Sequence, residues 1–194
     1  GEVEDYVVRI VKPLPSSSEL RDYIDFNTYY GANGFANVTD IIRKMKIGSR
    51  EMAFRVSGTV PQMIGINNLH EASITGLRLG HDDVEVGPGN PIVLTVKTDS
   101  VVENLSFQLI DIDGGDKVKI EGFRKGMPVS FSVSNITDNH FYEFNDETNE
   151  IYSDGFTDAG NDYLIPSSLD MAITVFFKGF TDSVKLTYVD MAST

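Results

Sequence analysis

The chain has 194 residues, 41% of them hydrophobic, so it is long enough to bury an apolar core. Its 16 Lys and Arg against 29 Asp and Glu give a formal net charge of −13, which argues against binding to nucleic acid or to an anionic membrane surface. The absence of cysteine excludes disulfides and thiolate metal sites, and no apolar run is long enough for a membrane-inserted helix.

The first segment, GEVEDYVVRIV at residues 1–11, has an apolar run typical of a strand. Residues 12–18, KPLPSSS, contain two prolines and three serines and indicate an exposed linker. The sequence therefore predicts a separate terminal strand at 1–11, a linker at 12–18 and a domain at 19–194. Residues 1–11 are expected to form an edge strand at most.

The remainder reads as β structure, with short runs rich in Val, Ile, Phe and Thr that are broken by Gly, Pro, Asn and Asp. Alternation is clear where Val184, Leu186 and Tyr188 flank Lys185 and Thr187. The pattern predicts an all-β fold, an antiparallel β-sandwich of the jelly-roll kind. The expected strands lie at residues 52–56, 74–79, 92–96, 105–112, 117–120, 129–133, 173–177 and 184–189.

One stretch has a different period. Val38, Ile41, Ile42 and Met45 recur at the spacing of a helix face, and Gly48 follows as a stop signal. The sequence predicts one short helix over residues 38–47.

Residues 92–111 and 172–190 resemble each other, since each has a Val-rich run, the letters Asp-Ser-Val and an alternating run that ends in Asp. We interpret both as β-hairpins that turn at Asp-Ser-Val, one in each half of a sandwich. The alternative is that two hairpins look alike because all hairpins do.

Two resemblances to known modules follow from these segments. GEVEDYVVRI resembles the closing strand of the GEVED domain, a β-rich module of large secreted and cell-surface bacterial proteins. TVKTDSVVENLSFQLIDIDGGDKVKIEGF, residues 95–123, resembles the strand-turn-strand core of jelly-roll modules in bacterial adhesins. The resemblances imply a segment of a longer multidomain surface protein, and say little about the ligand.

Acidic loops predict bound Ca²⁺, which takes six to eight oxygen ligands. Asp111, Asp113 and Asp116 lie at the end of a predicted strand, with Gly114 and Gly115 between them that let the backbone turn. The alternative is that these are ordinary acidic turns. A second candidate ligand set recurs every four residues in a segment whose glycines let the backbone bend: Asp154, Asp158 and Asp162.

Aromatic residues are interleaved with acids between residues 126 and 177, a stretch without Lys or Arg. Their rings are candidates for contacts to sugar rings or peptide side chains, the alternative being that they point into the core. The predicted ligand-binding residues are Tyr142, Tyr152, Phe156 and Tyr163.

These features predict an adhesion or ligand-binding module that is secreted or on a bacterial cell surface, binds an extracellular glycan or peptide, and is a monomeric part of a longer chain. Recognisable catalytic motifs are absent, so no enzyme activity is expected. The alternatives are a passive spacer in a surface stalk and an accessory or catalytic domain of a secreted hydrolase.

Overall fold

A computed structural model describes residues 5–9, 42–47, 50–58, 63–69, 74–80, 91–110, 112, 116–134, 142–153 and 172–190. These residues form an all-β structure without a helix, and every hydrogen-bonded pair of strands is antiparallel. The all-β, antiparallel fold class predicted from the sequence is confirmed for this part of the chain.

Fourteen strands follow one another along the described residues. They are β1 (Asp5–Arg9), β2 (Ile42–Ile47), β3 (Arg50–Ser57), β4 (Met63–Leu69), β5 (Ile74–Gly80), β6 (Ile92–Glu103), β7 (Ser106–Ile110), β8 (Asp116–Arg124), β9 (Met127–Val129), β10 (Ser132–Ser134), β11 (Tyr142–Asn145), β12 (Glu150–Ser153), β13 (Ile173–Phe176) and β14 (Phe180–Asp190).

The strands form two sheets. The larger has the order β11-β12-β8-β14-β6-β3-β2, and β9 pairs with the end of β8. The smaller has the order β10-β13-β7-β1-β5-β4. Strands that are neighbours in a sheet are often far apart in sequence. In the larger sheet, for example, β14 lies between β8 and β6.

Both sheets contribute to one apolar core. In β6 and β8 every second residue is buried over the first five positions, which is the period of a strand with one face covered. Phe54 and Leu94 of the larger sheet belong to the same buried cluster as Leu109 and Val175 of the smaller sheet. A core shared by two sheets is typical of a β-sandwich.

The chain passes from one sheet to the other many times, and two of these corners, from β6 to β7 and from β13 to β14, lie side by side. The corners are joined by backbone hydrogen bonds: Asn104 donates to the Gly179 carbonyl at 2.7 Å, and Phe177 donates to the Leu105 carbonyl at 2.9 Å. Asn104 and Gly179 both have positive φ, 56° and 95°, which Asn and Gly tolerate.

These corners correct the hairpin interpretation of the two similar segments. β6 pairs with β14 and β7 pairs with β13, so each segment donates one strand to each sheet instead of folding on itself. Both Asp-Ser-Val triplets lie inside strands, residues 99–101 in β6 and residues 182–184 in β14.

The predicted helix is also wrong where the structure can test it. Residues 42–47 form β2, which pairs with β3 along its whole length, and residues 38–41 lie outside the described residues. Met45 pairs with the buried Met52, whereas Lys44 and Lys46 are exposed. Charged and apolar residues alternate over residues 44–47, which is the period of a strand, and pairing with β3 decides in favour of the strand.

The edge-strand expectation for the N-terminal segment is wrong. β1 lies between β7 and β5 and pairs with both, so it is an interior strand of the smaller sheet. The division into a terminal strand at 1–11, a linker at 12–18 and a domain at 19–194 stays a prediction.

A glycine determines how closely the core packs on β8. A Cβ added to Gly122 would lie 2.1 Å from Phe177, whose side chain is fully buried. The Phe177 ring centroid lies 6.2 Å from that of Phe107 and 5.3 Å from that of Phe131. The absent side chain at position 122 therefore makes room for this aromatic cluster.

Candidate functional site

The letters Thr-Asp-Ser-Val occur twice, at residues 98–101 and 181–184, and the fold brings the two copies together. Lys97 pairs with Ser183 and Val102 pairs with Thr181. Four residues of β6 therefore stand opposite the single residue Asp182 of β14. Such a bulge forces the longer segment away from its partner and opens space between two strands.

A shallow polar groove, with a volume of about 520 Å³, lies at this bulge. We call it the bulge groove. Residues of β6, β8 and β14 and of the turn that follows β8 line it: Lys97, Thr98, Asp99, Ser100, Val101, Phe123, Lys125, Gly126, Asp182 and Ser183.

The turn between β8 and β9 forms one wall of the bulge groove. Lys125 and Gly126 have φ of 51° and 79°, and two consecutive positive φ values are characteristic of a type I′ hairpin turn. The Lys125 N–H donates to Asp182 Oδ2 at 2.5 Å, which attaches the turn to β14. Ser183 Oγ donates to Asp182 Oδ1 at 3.3 Å.

The opposite wall is held by the carboxylate of Asp99. The Glu51 N–H donates to its Oδ2 at 3.0 Å, and Ser100 Oγ donates to its Oδ1 at 3.0 Å. The backbone bond from Glu51, followed by the bond from Ser100, holds the pKa of Asp99 below its ordinary value. Arg50 donates to Ser100 Oγ, so the hydroxyl is oriented from both sides.

The bulge itself is closed by Thr98, whose hydroxyl lies 2.5 Å from the Ser100 carbonyl and 3.1 Å from the Asp182 carbonyl. The hydroxyl has a single hydrogen, which these two carbonyl acceptors share, so Thr98 links the bulge of β6 to β14. The groove is therefore fixed by hydrogen bonds before any ligand is present.

The groove's functional groups suit a ligand rich in hydroxyls. Two carboxylates, the ammonium groups of Lys97 and Lys125, and three hydroxyls supply both acceptors and donors. Phe123 adds an aromatic surface. Close by, the Arg124 guanidinium lies 5.1 Å from the centre of the Phe180 ring, and Met127 is 69% exposed.

The bulge groove lies at one end of the solvent-facing side of the larger sheet, which we call the outer face. Its described side chains include seven cations and five carboxylates, although the whole chain has a net charge of −13. The cations are Lys44, Lys46, Arg55, Lys97, Lys117, Lys119 and Lys185, and the carboxylates are Glu51, Asp99, Glu121, Glu143 and Glu150.

Ion pairs connect neighbouring strands across the outer face. Their N–O distances are 2.7 Å for Lys44–Glu51, 3.2 Å for Lys117–Glu150 and 3.1 Å for Lys185–Glu121. The hydrogen bond from Lys44 to Glu51, with their charge attraction, raises the pKa of Lys44. All three pairs are at least partly exposed, so each adds little to stability.

Asp116 is the one residue of the predicted calcium set whose side chain is described. It is fully buried at the start of β8 and accepts a hydrogen bond from Tyr188 Oη at 3.0 Å. The other predicted ligands lie outside the described residues: Asp111, Asp113, Asp154, Asp158 and Asp162. The described residues contain no cluster of three or more His, Asp or Glu side chains that could hold a metal ion.

Two of the four predicted ligand-binding aromatics lie in described strands. Tyr152 of β12 is half-buried on the outer face, pairs with Lys117 and donates its hydroxyl hydrogen to Glu143. Tyr142 lies in β11, and its side chain is not among those described. Phe156 and Tyr163 lie outside the described residues.

Tyr152 is not part of the bulge groove. Its partner Lys117 lies six residues from Phe123 along β8, about 20 Å at the rise of a strand. The groove was missed because both Asp-Ser-Val triplets were interpreted as turns. The repeated Thr-Asp-Ser-Val letters and the Lys-Gly turn were the available signals.

No family model, curated protein or solved structure matches this chain. In the part of the chain that the structure describes, no helix is long and apolar enough to cross a membrane.

Proposed function

We propose that this chain is a carbohydrate-binding module and that the bulge groove holds the sugar. One observation carries the proposal: at a single opening, carboxylates, ammonium groups and hydroxyls lie beside an aromatic ring. Ligand sites combine a few oriented polar groups with apolar contact surface. The hydroxyls of a sugar form hydrogen bonds with the oriented polar groups, and its C–H face packs on the ring of Phe123.

The hydrogen bonds of the groove support this proposal, since they leave its groups oriented in advance. Asp99 and Asp182 are each held by a backbone N–H, so little side-chain freedom is lost when a ligand binds. The carboxylates retain acceptor capacity for ligand hydroxyls, because each oxygen has more than one lone pair.

The wider setting belongs to the same proposal. We propose a jelly-roll-like sandwich, secreted or on a bacterial cell surface, within a longer multidomain protein, with β1 as a strand of the sandwich itself. The module binds its ligand as a monomer and without catalysis, and Ca²⁺ held by the acidic loops stabilises it. Asp116 contributes a carboxylate at the end of one of these loops.

Glycan binding is tested by screening the chain against immobilised glycans and measuring the Kd of any ligand by calorimetry. Phe123→Ala and Asp182→Ala are expected to weaken binding about tenfold or more, a loss of about 1.4 kcal/mol or more. Ser132→Ala, at an exposed position of β10 in the smaller sheet, is the control and leaves the Kd unchanged.

Selective binding of a peptide would replace the glycan proposal with the peptide alternative. If no glycan binds, or if groove and control variants lose affinity equally, the bulge groove is not a glycan site. A shortened glycan after incubation would show catalysis and contradict the proposed role in binding alone.

A further inference from the structure

We propose that the outer face of the larger sheet binds an acidic polysaccharide, one that carries carboxylate or sulfate groups. This inference rests on the proposed glycan binding and names the ligand class. Its starting point is the charge of the face, on which the cations outnumber the carboxylates by two in a chain whose net charge is −13.

Three lysines and a tyrosine form a diagonal row across this face. Lys97 of β6, Lys185 of β14 and Lys119 of β8 lie on adjacent strands, and each is displaced by two residues from the one before. Tyr152 of β12 continues the same diagonal. With strands about 4.8 Å apart and a rise of about 3.3 Å per residue, the backbone positions are spaced by roughly 8 Å.

The row begins at the bulge groove, since Lys97 lines that groove as well. A glycan chain with one sugar in the groove can therefore extend along the diagonal to Tyr152. Among the described residues, Lys97 and Lys119 form no ion pair, and Lys185 shares its charge with Glu121 at 3.1 Å. Ammonium groups in this arrangement suit the repeated anions of an acidic polymer.

The negative charge elsewhere on the chain restricts where such a polymer binds. At physiological ionic strength the Debye length is about 8 Å, so exposed charges act mainly on their neighbours. The polymer is repelled by acidic surfaces and attracted to the lysine row. Binding is therefore expected to weaken as salt is added.

The test compares polygalacturonate with uncharged dextran and with the neutral glycan found for the bulge groove. The variant is Lys119→Gln/Lys185→Gln, which removes two charges of the row outside the groove. The control is Lys178→Gln, an exposed lysine at the corner between β13 and β14. All affinities are measured on the whole chain at about 0.05 M and 0.5 M NaCl, where screening is weak and strong.

Polygalacturonate is expected to bind more tightly than dextran, and the double variant to weaken this binding about five- to tenfold at low salt. Lys178→Gln changes the Kd for polygalacturonate less than twofold. The neutral glycan binds the wild type, the double variant and the control variant with equal Kd. If the neutral glycan binds but polygalacturonate does not, this inference fails and the proposed function stands. If neither binds, both fail, and an equal loss in the control variant also overturns the inference.

Discussion

At the level of the single residue, Gly122 is a position where one added methyl group is expected to destabilise the core. Gly122→Ala would bring Cβ to 2.1 Å from the buried ring of Phe177, so either the ring or β8 must move. Overpacking of this kind costs about 1–3 kcal/mol in the free energy of unfolding. Urea denaturation of the variant measures the loss.

The Phe177→Leu background provides the control for this prediction. A smaller side chain at position 177 leaves room for the methyl group, so Gly122→Ala costs less there than in the wild type. A double-mutant cycle gives the coupling energy between the two positions. Equal costs in both backgrounds would show that the contact with Phe177 is not the cause.

The buried pair of Tyr188 and Asp116 predicts a second effect on stability. Tyr188→Phe removes the hydroxyl that donates to Asp116 Oδ1, in a place where water has no access to the carboxylate. Leaving a buried carboxyl oxygen without its hydrogen-bond donor costs about 1–3 kcal/mol. Chemical denaturation with the m-value compared between proteins checks this prediction.

Tyr152→Phe is the matched substitution at an exposed site. It also removes a tyrosine hydroxyl bonded to a carboxylate, that of Glu143, but both groups are reached by solvent. Its effect is expected within about 0.5 kcal/mol. Similar losses in the two variants would mean that burial of Asp116 does not set the energy.

At the level of the element, the interior position of β1 predicts that deletion of residues 1–11 destabilises the smaller sheet. Because β1 pairs with both β5 and β7, removing residues 1–11 leaves both neighbours with an unpaired edge inside the smaller sheet. The deleted protein is expected to lose cooperative thermal unfolding. Deletion of residues 1–4 alone, which keeps β1, should leave the transition in place.

A deletion of residues 1–11 that melts within a few degrees of the full chain would contradict this prediction. It would support instead the view that the segment belongs to a preceding module.

The strands that sequence could predict are those with an apolar face of their own. Val184, Leu186 and Tyr188 alternate in the letters and are buried in the structure, as expected. The pairing partner of each strand cannot be predicted from the sequence. The alternation of apolar and polar residues is the same whether a strand pairs with the next strand in sequence or with a strand from the other half of the chain. For this reason the alternation predicts hairpins at what are two corners between the sheets.

The hairpin of β11 and β12 was missed for a different reason. Its residues are not among the strands expected from the sequence, because acids are interleaved with its aromatic residues. Asn145 is a turn residue, and its side-chain oxygen accepts hydrogen bonds from the N–H groups of Glu147 and Thr148 at 3.0 and 3.2 Å. Asn149 then adopts a φ of 59°. The repeated Thr-Asp-Ser-Val letters mark the segments that form the bulge groove, but the groove itself depends on the register between β6 and β14, which the sequence does not show.

At the level of the whole molecule, we predict that Ca²⁺ raises the melting temperature. An ion that binds only the folded state stabilises it by about 2.7 kcal/mol at a hundredfold excess over its Kd. For a domain of this size that corresponds to a rise of roughly 5 to 10 °C. Thermal unfolding in EDTA and in millimolar CaCl₂ measures the difference, and Mg²⁺ is expected to do less.

The effect of Ca²⁺ on the melting temperature of the Asp113→Ala variant tests which acidic segment holds the ion. If the variant loses the calcium effect, the loop that precedes β8 holds the site. Equal stabilisation of the variant and the wild type would assign the ion to another loop. A melting temperature that is insensitive to EDTA would contradict the calcium prediction altogether.

The interior position of β1 also sets an order of events on the ribosome. Residues 5–8 find their partners at residues 77–80, and residues 7–9 find theirs at 108–110. At about 5–20 residues per second, the first partner emerges roughly 4–14 s after β1 itself. For that time the nascent chain carries β1 without either of its partner strands, so the smaller sheet cannot begin to form around it.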